Sequence, residues 1–238
     1  MFSSFLPRTE YSRAERLSDA VVHALALSAA ILAAPVLITL ASVWHGNAAA
    51  VVGTTVYGIT LIAMILCSAL YNIWDSSEWT ALFRRLDHSA IYFKIAGTYT
   101  PFILLSGGQD GYLLVALWTA AFAGTALRIL APERMRWVAI GLYLLMGWAI
   151  VFAGQNLLAA LPPHVVWLMI VGGVLYTAGV AFYLFERMPF HNTIWHVFVM
   201  AASVIFFAAV TAQVAETRHP AGAVELAPAE VAVEPSAA

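Results

Sequence analysis

Charge is what this 238-residue chain has least of. Asp, Glu, Lys and Arg together make up 10% of it, against roughly 25% in ordinary soluble domains, too few to cover a water-soluble globule of this length. Cysteine is nearly absent as well. Cys67 stands alone, which excludes an intrachain disulfide and a cysteine cluster for zinc or iron-sulfur. The net charge of -2 provides no basic stripe, so nucleic acid is excluded as a partner. The amino-terminal MFSSFLPRTEYSRAERLSD carries three arginines but no apolar core, unlike a cleaved signal peptide.

What the chain has in abundance is apolar sequence: 62% of residues are hydrophobic and the mean hydropathy is +0.85. The apolar windows are 20–42, 50–70, 88–106, 112–130, 137–154, 164–184 and 193–214, each near the roughly 20 residues that span a hydrocarbon core. Between them lie HGNAA, YNIWDSSEWTALFRRLD, SGGQDG, RILAPERMR, QNLLAALPP and FERMPFH, which read as loops. Pro35 and Pro101 fall inside windows, where a kink is tolerated in a membrane helix. The expectation is an all-α, polytopic seven-helix transmembrane bundle in the cell inner membrane or plasma membrane. A segment 1–18 precedes the membrane domain 19–216, and a disordered tail 217–238 of Ala, Pro, Val and Glu follows it.

Seven spans place Arg8, Arg13, Arg16, Arg84, Arg85, Arg128, Arg134, Arg136 and Arg187 on one side, and the opposite loops hold no Lys or Arg. The positive-inside rule then puts the amino terminus in the cytoplasm and the carboxyl terminus outside. Lys94 is the one cation within a span, expected to snorkel to the interface or to pair with a buried acid.

This topology gathers polar residues at the cytoplasmic end: Glu15, Asp19 and His23 on helix 1, Ser68 and Asn72 on helix 2, Asp87 and His88 at the start of helix 3, and Asn192 and His196 on helix 7. Several are spaced i, i+4 and so share a helix face. Polar groups inside a bilayer face the bundle interior, and a polar pocket just inside the cytoplasmic surface follows. Each residue also has a plainer reading. Glu15 and Asp19 suit a solvated first turn, Ser68 a bond back to the carbonyl at i-4, Asp87 a helix cap, His23 and His196 interhelical hydrogen bonds, and His88 an interfacial position. His45, His164 and His219 fall on the outer side, away from any polar cluster.

Three stretches carry a resemblance. They are E-x-x-x-D-x-x-x-H at Glu15, Asp19 and His23; SALYN followed by RRLDHSAIYFKIAGTYTPF, from Ser68 to Phe102; and PFHNTIWHVFV, from Pro189 to Val199. In these the chain resembles the haemolysin III family, the bacterial branch of the superfamily of progestin and adiponectin receptors. The resemblance implies a seven-helix bundle with a cytoplasmic amino terminus and a zinc held by three histidines, one on helix 2 and two on helix 7. It also implies a serine, Ser68, and an aspartate, Asp87, beside the metal, the aspartate orienting a metal-bound water. Of the three histidine positions only His196 is kept, and the others are Asn72 and Asn192. Amide oxygen is a poor zinc ligand. A different set drawing on His88 or His23 with His196, an oxygen-rich site for a harder divalent ion, and a metal-free hydrogen-bonded network all remain open.

Two classes of function follow. One is a metal-dependent hydrolase of a lipid amide or ester, with Ser68, Asp87 and His196 as its chemical residues, or with His196 or His88 as general base if no metal is bound. The other is a membrane-homeostasis, cytolysin-like or receptor-like protein that binds membrane lipid or a small apolar ligand. A channel would need a continuous polar stripe, and the outer halves offer only isolated groups such as Thr54, Thr55, Gln155 and Asn156.

Overall fold

The computed structural model describes residues 11–74, 78–130 and 136–218, and every regular element among them is a helix. In chain order these are α1 (Arg13–His45), α2 (Ala48–Ile73), α3 (Thr80–Leu105), α4 (Gly111–Leu130), α5 (Arg136–Gly147), α6 (Ala149–Ala153), α7 (Gln155–Ala160), α8 (Pro163–Leu184) and α9 (His191–Glu216). Five of them, α1, α2, α4, α8 and α9, are long and apolar enough to cross a membrane. The chain is a multi-pass membrane protein. Leu25, Leu32 and Val43 on α1, Val115 and Phe122 on α4, and Trp167 on α8 are all more than half exposed. An outward apolar face of that extent is matched by hydrocarbon, not water.

The helix starts differ from the sequence expectation. Helix α1 begins at Arg13, ahead of the apolar window, because Ser12 and Glu15 form a capping box: the Glu15 amide donates to Ser12 Oγ (3.2 Å) and the Ser12 amide to Glu15 Oε2 (2.8 Å). At 33 residues it is about 50 Å long, well beyond a hydrocarbon core of about 30 Å. Helix α3 begins at Thr80, so Asp87 lies two turns inside it rather than at its cap. Most of the stretch 71–87, expected as a loop, is helical. The fifth apolar window, 137–154, is not one helix either, since α5 stops at Gly147 and the helix is interrupted at Trp148 and again at Gly154. The expected tail 217–238 and segment 1–18 lie largely outside the described residues, as do Arg8, Arg134 and His219.

Helix α3 is the middle of the bundle. It packs on α2, α4, α5 and α9, and α1 closes the ring by touching both α2 and α9. Being surrounded by protein, α3 needs no apolar surface for lipid, and it buries Asp87, Ser89, Lys94, Thr98 and Thr100. That is why it falls outside the five strongly apolar spans. Helices α2 and α3 run antiparallel in close approach. A Cβ on Gly53 would stand 2.9 Å from Pro101 Cα, and one on Gly97 2.1 Å from Thr60 Oγ1. The same register, continued, brings Ser68 to Asp87.

Candidate functional site: a buried Asp, His and Ser centre

Four helices deliver the polar centre. Asp19 and His23 come from α1, Ser68 and Asn72 from α2, Asp87 from α3, and Asn192 and His196 from α9. Asp19, His23, Ser68, Asp87 and His196 are all buried. The i, i+4 spacing that put Asp19 and His23 on one face of α1 turns that face inward, against α2 and α9.

The hydrogen bonds run in a chain. His196 donates from Nδ1 to Asp19 Oδ1 at 2.6 Å; in the neutral ring this leaves the lone pair on Nε2, which faces Ser68 Oγ at 3.4 Å. His23 donates from Nδ1 to the Asp19 backbone carbonyl at 2.8 Å, leaving its Nε2 to accept from Ser68 Oγ at 3.0 Å. The two imidazoles meet edge to face, 4.5 Å between centroids. Asp87 faces Ser68 and His196 from α3. One hydroxyl proton is thus shared among two imidazole nitrogens and a carboxylate. Asp19 Oδ2 has no hydrogen-bond partner and lies 3.6 Å from His23 Nδ1.

The two asparagines are tied to each other. Asn192 Nδ2 donates to Asn72 Oδ1 at 3.0 Å, and Asn72 Nδ2 donates to the Ser68 carbonyl at 2.9 Å and lies 3.4 Å from Ser68 Oγ. A cleft of about 10 Å³ lined by Glu15, Asp19, Asn72 and Asn192 opens there, room for about one water. Glu15 belongs to this rim: its Oε1 accepts the Phe190 amide at 2.8 Å, fastening the start of α1 to the start of α9. A cavity of about 260 Å³ is lined by residues of α2, α3 and α9 that stand within one helical turn of the centre along each helix, and not by the centre's own residues. Met64, Ile91, Trp195 and Val199 wall it, each within a turn of Ser68, Asp87 or His196.

Some expected members stand elsewhere. His88 turns its ring toward Tyr71, 6.2 Å between centroids, and its carbonyl accepts the Tyr143 hydroxyl at 2.7 Å. It is not part of the cluster of Asp19, His23 and His196. Ser68 is turned to the imidazoles, not back along its own helix. Lys94 is buried without snorkelling or meeting an acid: its Nζ lies 4.7 Å over the Tyr176 ring and 5.0 Å over Phe206, at the wall of the larger cavity. His45, expected as interfacial or solvated, donates to the Val214 carbonyl at 2.9 Å and ties α1 to α9. The direct link from Asp19 to His196 was not foreseen, because nothing local to α1 indicates which helix it faces.

A family profile described as Haemolysin-III related matches residues 12–207. The chain belongs to this family. It is 40% identical over 195 residues to Hemolysin-3 of Bacillus cereus, covering 81% of this chain and 89% of the relative. It is 35% identical to the Hemolysin-3 homolog of Bacillus subtilis (strain 168), covering 81% and 91%. The human Monocyte to macrophage differentiation factor is 30% identical over 165 residues, 65% of this chain and 67% of the relative. The three-histidine zinc set implied by the resemblance does not fit this haemolysin III-related chain. Asn72 and Asn192 supply amides joined by one hydrogen bond, leaving His196 as the one imidazole of that set. A different donor set is present: Asp19, His23 and His196 hold their ligand atoms within 4.8 Å of one another, and this buried cluster could coordinate a metal ion.

Proposed function

We propose that this haemolysin III-related protein hydrolyses an ester or amide bond in a membrane lipid at the polar centre of α1, α2, α3 and α9. The observation that carries the reading is the adjacency of an apolar cavity of about 260 Å³ to a buried cluster of acid, imidazole and hydroxyl. An amphiphile is matched by such a pair of environments, its chain in the cavity and its head bond at the centre. In this reading the chain makes seven spans, with α3 and the broken α5–α7 stretch completing the five strongly apolar ones. The amino terminus is cytoplasmic, the membrane domain covers 19–216, and 1–18 and 217–238 lie outside it. The relatives' name, Hemolysin-3, is accommodated because cleavage of lipid is one physical route to lysis. A pore is less well supported: Thr54 and Thr100 each bond to their own helix's carbonyls, and Asn156 to Asp110.

The test is hydrolysis of long-chain lipid esters and amides by the purified protein in lipid nanodiscs. The expected result is turnover abolished by His196→Ala and unchanged by His164→Ala. Equal turnover of both variants overturns the placement of the site. The orientation is checked by labelling cysteines introduced into the 74–79 and 185–190 connections, which should both react from the cytoplasmic side.

A second reading has one observation in its favour. Asp19 Oδ2 is buried without a partner beside His23 and His196, and a divalent ion there would satisfy it. Such an ion would have to replace the protons on the Nδ1 atoms, which now bond to Asp19. Loss of turnover on chelation, restored by one metal per chain, would favour it.

A further inference from the structure

From the order of hydrogen bonds in the centre we infer that Ser68 is a covalent nucleophile, with His196 as its base and Asp19 as the residue that positions His196. This rests on the hydrolase reading and adds to it how the bond is broken, without metal. The geometry assigns the roles. A base acting on a hydroxyl needs a free ring nitrogen toward the oxygen and an anionic partner on the other nitrogen. His196 has both: Nε2 at 3.4 Å from Ser68 Oγ and Nδ1 at 2.6 Å from the Asp19 carboxylate. The distance to Ser68 is loose, as such contacts commonly are before substrate binds. His23 is nearer, at 3.0 Å, yet its Nδ1 bonds to a backbone carbonyl, which offers less to stabilise an imidazolium. His23 holds the resting hydroxyl, and His196 removes its proton.

The reaction balances with water as the only co-reactant. Ser68 Oγ attacks the carbonyl carbon of the lipid ester as its proton passes to His196 Nε2. The tetrahedral oxyanion collapses, the bond to the leaving alcohol breaks, and His196 returns the proton to that alcohol. Water then enters, gives its proton to His196, and its oxygen attacks the acylated Ser68. The acid leaves, and Oγ recovers a proton. The 10 Å³ cleft beside Asp19 and Asn72 is a route for that water. Asn72 Nδ2, 3.4 Å from Ser68 Oγ, is an N–H donor beside the attacking oxygen. An asparagine there supplies a donor that a metal-ligating histidine would not.

The experiment uses the full chain in nanodiscs and a long-chain alkyl fluorophosphonate, which phosphonylates activated serines. The expected result is one adduct per chain, located on Ser68 by peptide mass spectrometry and unaffected by chelator. His196→Ala should slow labelling by about 10³-fold or more, and His23→Ala by less than about tenfold. Asp19→Asn should lower the maximal labelling rate without weakening reversible probe binding, and Asp19→Glu should restore part of it, which a merely structural role would not do. Because the adduct is mapped on the unmodified protein, misfolding of a variant leaves the test intact. Lipid hydrolysis without an adduct on Ser68 overturns the nucleophile and spares the hydrolase reading. Absence of both hydrolysis and adduct overturns the two together.

Discussion

Gly97→Ala is the sharpest probe of how the centre is held in register. A Cβ at this position would stand 2.1 Å from Thr60 Oγ1, 2.9 Å from its Cβ and 3.0 Å from its Cγ2, so relief requires a movement of more than an ångström. Thr60 cannot swing away cheaply. Its χ1 is restricted by β-branching, and Oγ1 bonds to the carbonyls of Val56 (2.8 Å) and Tyr57 (3.0 Å). The helices must separate instead. Overpacking of this kind costs about 1–3 kcal/mol, while alanine in place of glycine returns at most about 1 kcal/mol of helix propensity. A net loss of about 1–2 kcal/mol is expected. Since α2 and α3 also present Ser68 to Asp87, any activity should fall with it. Thermal unfolding in detergent measures the loss, and Thr60→Ala closes a double-mutant cycle by removing two of the three clashing atoms. The double variant should recover most of the stability, with a coupling of at least about 0.5 kcal/mol. If Gly97→Ala is as stable as the parent, or the cycle shows no coupling, the close packing of α2 on α3 is wrong.

Asn72→His combined with Asn192→His should bring bound zinc to about one per chain by recreating three imidazole ligands with His196. Elemental analysis checks this, and unchanged zinc content refutes it. Asp110, outside the spans, has its carboxyl held below the ordinary carboxylate range chiefly by the Leu157 amide, with help from Asn156. A depressed value in the folded state means the contribution is present above the ordinary pKa and lost as pH falls through the lower, folded one. The thermal midpoint of Asp110→Asn should therefore respond less to acidification from neutral pH to pH 3 than that of the parent. Asparagine tolerates the positive φ of 54° at this position, and it removes the charge together with one of the two acceptor oxygens that now bond to Asn156 and Leu157. His164→Ala should shift stability by under about 0.5 kcal/mol, because its 3.6 Å pair with Glu216 is half exposed; a larger loss by the same unfolding assay would refute that reading of the pair.

Much of the architecture could be read one residue type at a time. The apolar windows marked where each long helix runs, and the Ser12-x-x-Glu15 spacing that starts α1 is present in the sequence. The break at Trp148 was hidden because every residue around it is apolar, and hydropathy does not register an interrupted hydrogen-bond ladder. Lys94 was hidden for the opposite reason: charge alone suggested water or a carboxylate, and only the neighbouring Tyr176 and Phe206 rings show another solution.

Residence in a membrane, the sharing of helix faces, and amides at two of the three imidazole positions could all be read from the residues alone. Those properties depend on composition and on a helical repeat of 3.6 residues, both of which are local. The meeting of Asp19 with His196 across 177 positions of chain, the place of Ser68 between two imidazoles and the turn of His88 toward Tyr71 needed the packed helices. Contacts between helices depend on the rotation and register of each against its neighbours, and close approaches such as Gly97 on Thr60 set these. No single stretch of sequence contains both sides of such a contact.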